Sequence, residues 1–215
     1  MHHEEQMRRF AETDLYVVIT EAFCGGRSSL EVLEAVLEAG VRVVQLREKD
    51  MPDGDLYRLG LEFRERTASV DALLIVDDRV DIAQAIQADG VHLGQSDLPM
   101  TVARRIAPEL ILGASSHSID EAVAAQAAGA SYVNIGPIFD TQTKAVPSGT
   151  VGPGLIDAIA PCLRVPFSVM GGIKEHNIGE VVGRGARHIA VVTAVTTAPD
   201  VCAAAKRLRE MMVVA

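Results

Sequence analysis

The chain has 215 residues, 48% of them hydrophobic, and a formal net charge of -9. That length and apolar content give one folded domain with a sizeable core, and exclude a disordered chain. The acidic balance argues against nonspecific nucleic-acid binding through a basic surface. It leaves room for an anionic small-molecule substrate, because a local cluster of Lys and Arg overrides the global charge.

Three cysteines, Cys24, Cys162 and Cys202, stand far apart with no C-x-x-C pair. A disulfide framework and a structural zinc site are therefore not expected. The N-terminal MHHEEQMRRF has no apolar signal core, and no run reaches the length of a membrane span. The expectation is a soluble cytoplasmic protein without a membrane partner.

In chain order, residues 1–12 read as an N-terminal extension or helix ahead of the first strand. Apolar runs expected as strands follow at Leu15–Thr20, Val43–Leu46, Leu73–Val76, Val91–Leu93, Ile111–Ala114, Tyr132–Ile135, Phe167–Met170 and Ile189–Val192. Helical periodicity falls between them, at Leu30–Ala39, Leu56–Ser69, Val80–Gln87, Thr101–Ile106, Ile119–Ala128, Leu155–Ala160, Asn177–Val182 and Val201–Met211. Strands alternating with helices make parallel β–α–β units. Repeated to this count, they predict an α/β fold closed as one (β/α)8 TIM barrel spanning 1–215. A weak internal repeat agrees: Gly40, Gly90, Gly129 and Gly185 each read as helix stops before alternate strands.

Ligands of such barrels bind past the carboxyl ends of the strands. After the second strand come Gln45, Arg47 and Lys49, with Gln45 and Arg47 on one side by alternation. Arg47 offers a planar fork for phosphate oxygens and Lys49 a mobile point charge. After the third and fourth strands come Asp77-Asp78 and Gly94-Gln-Ser-Asp97. Asp78 and Asp97 from adjacent strands suit one Mg2+ held by two carboxylates plus a phosphate. An Asp near a helix start is also an ordinary cap, which is the plainer reading of Asp77 and Asp81.

The fifth strand runs into Ser115-Ser116-His117-Ser118. Ser115 suits a polar substrate and Ser118 a helix cap, while His92 reads as a hydrogen-bonded core residue. Gly171-Gly172 after the seventh strand, with Val192-Thr193 after the eighth, match the usual phosphate cup of barrels. The long connection from Gly136 to Gly154 carries Thr141, Thr143 and Lys144 and reads as a lid. A phosphate cup beside a Mg-pyrophosphate clamp points to a pyrophosphate-displacing transferase.

Together Gln45-Leu-Arg-Glu-Lys49, Asp78-Arg-Val-Asp81, Asp89-Gly-Val-His-Leu-Gly-Gln95 with Asp97, Gly136-Pro-Ile-Phe139, Thr141-Gln-Thr-Lys144 and Gly171-Gly-Ile173 resemble the thiamine phosphate synthase family. The likeness spans nearly the whole chain in the family's order. It implies that 4-amino-2-methyl-5-hydroxymethylpyrimidine pyrophosphate is joined to 4-methyl-5-(2-hydroxyethyl)thiazole phosphate, giving thiamine phosphate and pyrophosphate. It further implies catalysis by Arg47, Lys49, Ser115 and Lys144. Gln45 and Ser115 contact the pyrimidine; Arg47, Lys49 and Lys144 bind its phosphates; Asp78 and Asp97 ligate Mg2+. Thr141, Thr143, Gly172, Val192 and Thr193 hold the thiazole phosphate.

Three positions depart from the family pattern: Asp77 where Asn is usual, Thr193 where Ser is usual, and Asp140 where Pro is common. Asp77 borders the pyrimidine pyrophosphate, and a carboxylate there is expected to turn toward the metal or toward Arg47 or Lys49. The rival readings are a thiazole tautomerase-like isomerase and a phosphate-ligand-binding barrel without turnover. Partners are small molecules, and the oligomeric state stays open, a homo-oligomer included.

Overall fold

Eight apolar runs form eight strands, all parallel: β1 (Leu15–Ile19), β2 (Val43–Leu46), β3 (Leu73–Asp77), β4 (Gly90–Leu93), β5 (Ile111–Ser116), β6 (Tyr132–Ile135), β7 (Phe167–Met170) and β8 (His188–Val191). The computed structural model describes residues 2–141, 143 and 149–213. β1 pairs with both β2 and β8, so the sheet closes in sequence order. The TIM barrel expected from the alternation is what the chain forms.

Helices α1 (His2–Ala11), α2 (Ser29–Glu38), α3 (Asp53–Ser69), α4 (Val80–Ala85), α5 (Met100–Ile106), α6 (Ile119–Ala127), α7 (Gly154–Ile159), α8 (Ile178–Gly183), α9 (Thr193–Thr196) and α10 (Val201–Val213) complete it. Three have side-chain caps that set their starts, and at α10 the Asp200 carboxylate accepts from the Ala203 N–H at 2.8 Å. Ser28 and Glu31 form a reciprocal box at α2, and the Ser118 hydroxyl accepts from the Glu121 N–H at α6. The short α9 follows β8 after only Val192, and its periodicity is too brief to read from sequence.

Both faces of the strands are buried, which is why they read as continuous apolar runs rather than alternating ones. Outward residues such as Val17, Leu46, Leu74 and Val133 pack under the helices. Inward residues Tyr16, Val18, Val43, Leu73, Ile75, Ile111 and Tyr132 form a second cluster in the barrel bore. Phe10 of α1 closes the bore at the amino ends of the strands, stacked on Tyr132 with ring centroids 4.7 Å apart.

One helix stop differs from expectation. Gly40, Gly129 and Gly185 have positive φ, but α4 stops at Ala85 and the left-handed residue there is Gln87, φ 55°. Gly90 already belongs to β4 and serves a different purpose. A Cβ at Gly90 would lie 2.4 Å from the Ile111 carbonyl oxygen and 2.8 Å from Ile75 Cδ1. Gly90→Ala is therefore expected to force β4 and β5 apart and cost about 2–3 kcal/mol, as overpacking does. Thermal unfolding checks this; a Tm within 1 °C of wild type would refute the close-approach account.

Asp89, next to it, is a buried structural carboxylate rather than a helix end. It accepts from the Leu74 N–H at 2.8 Å, from Arg64 Nη1 at 2.6 Å and from Gln6 Nε2 at 3.2 Å. These bonds tie α1 and α3 to the amino ends of β3 and β4.

Candidate active site

At the carboxyl ends of the strands lies a cavity of about 830 Å3, counted out to its open mouth. Gln45, Arg47 and Lys49 line it from β2 and the turn beyond, Asp77 and Asp78 from the end of β3, and Asp97 from the turn after β4. Ser115 faces it from β5. Thr141, Thr143, Gly171 and Val192 complete the opposite side. Residues dispersed from 45 to 192 in sequence are thus gathered at one end of the barrel.

Arg47 extends the inward face of β2 past the last ladder residue, and its N–H bonds to the Ile19 carbonyl at 2.9 Å. Its guanidinium Nε lies 3.5 Å from Asp77 Oδ2, and Lys49 Nζ is 3.2 Å from the same oxygen. Lys49 also bonds directly to Asp78. Asp77 has thus turned toward both basic residues, the arrangement expected of it. Burial nonetheless pushes its carboxyl up, against the pull of Lys49 and Arg47.

Asp78 holds a left-handed backbone, φ 59°, with its N–H bonded to the His92 carbonyl at 2.9 Å. Such a conformation is uncommon outside Gly, Asn and Asp, and here it aims the carboxylate across to Asp97. Desolvation, the neighbouring Asp77 charge and a hydrogen bond with Asp97 push Asp78 up to about 6. Asp97 is fixed by the Gly94 N–H at 2.7 Å. Among the described residues no group of three or more His, Cys, Asp or Glu is arranged to hold a metal. The protein offers a pair of acidic groups, which suits Mg2+ completed by phosphate and water rather than a metal caged by protein.

Across the cavity, Thr141 and Thr143 hydroxyls lie 2.9 Å apart. Gly171 and Gly172 have φ of 102° and 63°, which only glycine adopts readily. Their lack of a side chain serves packing: a Cβ on Gly171 would lie 2.4 Å from Pro137 Cβ, and one on Gly172 2.4 Å from the Asp140 carbonyl oxygen. The glycine pair thus seats the loop after β6 against the end of β7. Gly172 and Thr193 sit beside the lining rather than in it, Thr193 opening α9. Lys144 lies outside the described residues.

Sequence reasoning missed several groups here. Thr20 Oγ1 and Asn134 Oδ1 are buried, belong to residues lining the cavity, and have no hydrogen-bond partner among the described residues. Tyr16 and Tyr132 read as ordinary strand formers, yet their hydroxyls meet at 3.1 Å inside the bore. The available signal was chemical: a tyrosine buried in a strand needs a partner for its hydroxyl.

The family model described as thiamine monophosphate synthase matches residues 15–195. The chain belongs to the thiamine monophosphate synthase family. A thiamine-phosphate synthase of Moorella thermoacetica is 44% identical over 200 residues, covering 93% of this chain and 95% of that one. A thiamine-phosphate synthase of Methanospirillum hungatei is 41% identical over 200 residues, covering 93% and 97%. Among solved structures, thiamine phosphate pyrophosphorylase from Pyrococcus furiosus superposes with a TM-score of 0.87 at 37% identity, over 94% of this chain and 96% of that chain. The family model's span, residues 15–195, takes in every residue that lines the cavity, from Val18 to Val192. No described helix is long and apolar enough to cross a membrane.

Asp77 stands against both basic residues of the site, and that geometry makes a prediction. Asp77 holds the two cations that pyrophosphate would need. Asp77→Asn is expected to keep turnover within about 3-fold and to lower the KM for the pyrimidine pyrophosphate several-fold, as like charges near the anion are removed. Steady-state kinetics at saturating Mg2+ decide it: abolished turnover would give Asp77 a chemical role that this account lacks.

Proposed function

We propose that this chain condenses 4-amino-2-methyl-5-hydroxymethylpyrimidine pyrophosphate with 4-methyl-5-(2-hydroxyethyl)thiazole phosphate, releasing thiamine phosphate and pyrophosphate. The observation that carries this is the gathering of Arg47 and Lys49 beside Asp77, Asp78 and Asp97 at one rim of the cavity, with Lys49 bonded to Asp78. A phosphate monoester alone needs no such clamp, which counts against the tautomerase-like isomerase. The family's named synthases support the same reading.

On this reading the bond from the pyrimidine methylene to the pyrophosphate oxygen breaks, and the thiazole nitrogen forms the new bond to that carbon. No protein nucleophile is required. Arg47 and Lys49 exchange Asp77 and Asp78 for pyrophosphate oxygens, and the family resemblance adds Lys144 to this set of cations. The leaving group's charge is thereby stabilised where it develops. Asp78 and Asp97 would hold Mg2+, which would supply further neutralisation of that charge. Gln45 and Ser115 orient the pyrimidine. Thr141, Thr143, Gly172, Val192 and Thr193 hold the thiazole phosphate, so the two reacting atoms meet by positioning.

An HPLC assay with both substrates and Mg2+ tests the proposal. Thiamine phosphate should form only when all three are present. Isomerised thiazole without condensation would favour the isomerase, and binding without any product would favour a ligand-binding barrel.

A further inference from the structure

A continuous chain of hydrogen bonds crosses the barrel bore beneath the cavity. Gln45 Nε2 donates to the Tyr16 hydroxyl at 2.7 Å, and the Tyr16 and Tyr132 hydroxyls are 3.1 Å apart. Tyr132 lies 3.0 Å from His92 Nδ1, and His92 Nε2 lies 2.9 Å from Ser115 Oγ. The three middle members are buried, at 2%, 0% and 6% exposure, so solvent does not break the chain. Its two ends, Gln45 on β2 and Ser115 on β5, line the cavity, as does an edge of His92 beside Ser115.

The barrel is shaped around this chain. A Cβ at Gly113 would lie 2.2 Å from Tyr132 Cζ and 2.5 Å from His92 Nδ1. Glycine at that position in β5 leaves the space in which the phenol reaches the imidazole.

Each link has a direction. A phenol carries one proton, and burial pushes both tyrosines up, so both keep it. Tyr16 accepts from the Gln45 amide, so its own proton passes to Tyr132. Tyr132 then donates to His92 Nδ1, which makes that nitrogen an acceptor and leaves the imidazole proton on Nε2. Nε2 donates to Ser115. What remains for a ligand is the Gln45 carbonyl oxygen, beside its second amide proton, at one end and the Ser115 hydroxyl proton at the other.

We infer that the chain Gln45–Tyr16–Tyr132–His92–Ser115 sets the hydrogen-bonding sense of the pyrimidine site, presenting an acceptor at Gln45 and a donor at Ser115. An aminopyrimidine is the complement: its exocyclic amine donates and its ring nitrogens accept. Tyr16 and Tyr132 are positioning residues that act through His92 and the two ends. The ligand assignment rests on the proposed function, whereas the direction of the chain does not. Reversing the amide would reverse every link and place the imidazole proton on Nδ1, so the tautomer of His92 reports the polarity.

The test pairs two measurements. Nitrogen-15 NMR of histidine-labelled, ligand-free enzyme, with His92 assigned through His92→Gln, should show the Nε2–H tautomer in wild type and a mixture in Tyr132→Phe. Steady-state kinetics should show Tyr132→Phe raising the KM for the pyrimidine pyrophosphate about 10-fold, with the KM for the thiazole phosphate unchanged. Gly113→Ala, which displaces the same link from the other side, should give the same split. An Nδ1–H tautomer or an imidazolium in wild type would overturn the inference, as would both KM values moving together or neither moving. Absence of thiamine phosphate synthesis by wild type would instead sink the functional reading, and the NMR result would still decide the polarity.

Discussion

Asp97→Asn is expected to lower turnover about 10^2-fold and to raise the Mg2+ concentration needed for half-maximal rate. The substitution is nearly isosteric, and an amide oxygen can still accept from the Gly94 N–H that Asp97 Oδ2 holds at 2.7 Å. Fold and local geometry therefore survive while one negative charge facing Asp78 is lost. Mg2+ binds through few carboxylates and depends strongly on each. A Mg2+ titration of initial rates checks it, with thermal unfolding to confirm an intact fold. Unchanged turnover and unchanged Mg2+ dependence together would remove Asp97 from the proposed metal pair.

Asp89→Ala should act the other way, on stability and not on chemistry. Its carboxylate is 8% exposed, bonds to Arg64 at 2.6 Å and caps the Leu74 N–H at 2.8 Å. Removal leaves a largely buried guanidinium and a backbone donor without their acceptor. The expected cost is about 3–5 kcal/mol, a Tm lower by about 10 °C. Turnover per folded molecule should not change, because Asp89 sits at the amino end of β4 and the cavity lies at the carboxyl end. Calorimetry with kinetics separates the two effects; a Tm shift below 2 °C would show that the network contributes little.

The two aspartates show what the sequence made legible. Asp97 follows a strand in a chain of alternating strands and helices, so its position at the ligand-binding end followed from topology alone. Asp89 precedes a strand next to a glycine, and short-range pattern made the pair look like a helix stop. Its partners, Gln6 and Arg64, are brought in by α1 and α3, and no local spacing announces them. The same limit hid the tyrosine pair. Tyr16 and Tyr132 each satisfy strand propensity, and only barrel closure sets β1 and β6 facing one bore. The strand runs were legible because strands buried on both faces leave long apolar stretches. Asp77 lay between these cases: its charge demanded neutralisation, and Arg47 and Lys49 were the near cations, as the ion pairs now show.

The central claim is that both substrates react in the one cavity at the carboxyl ends of the strands. A crystal structure with thiamine phosphate, pyrophosphate and Mn2+ in place of Mg2+ tests it most directly. The account predicts an anomalous metal peak between Asp78 and Asp97, pyrophosphate against Arg47 and Lys49, and the pyrimidine ring between Gln45 and Ser115. Ligands bound elsewhere, or a metal peak away from both aspartates, would contradict it.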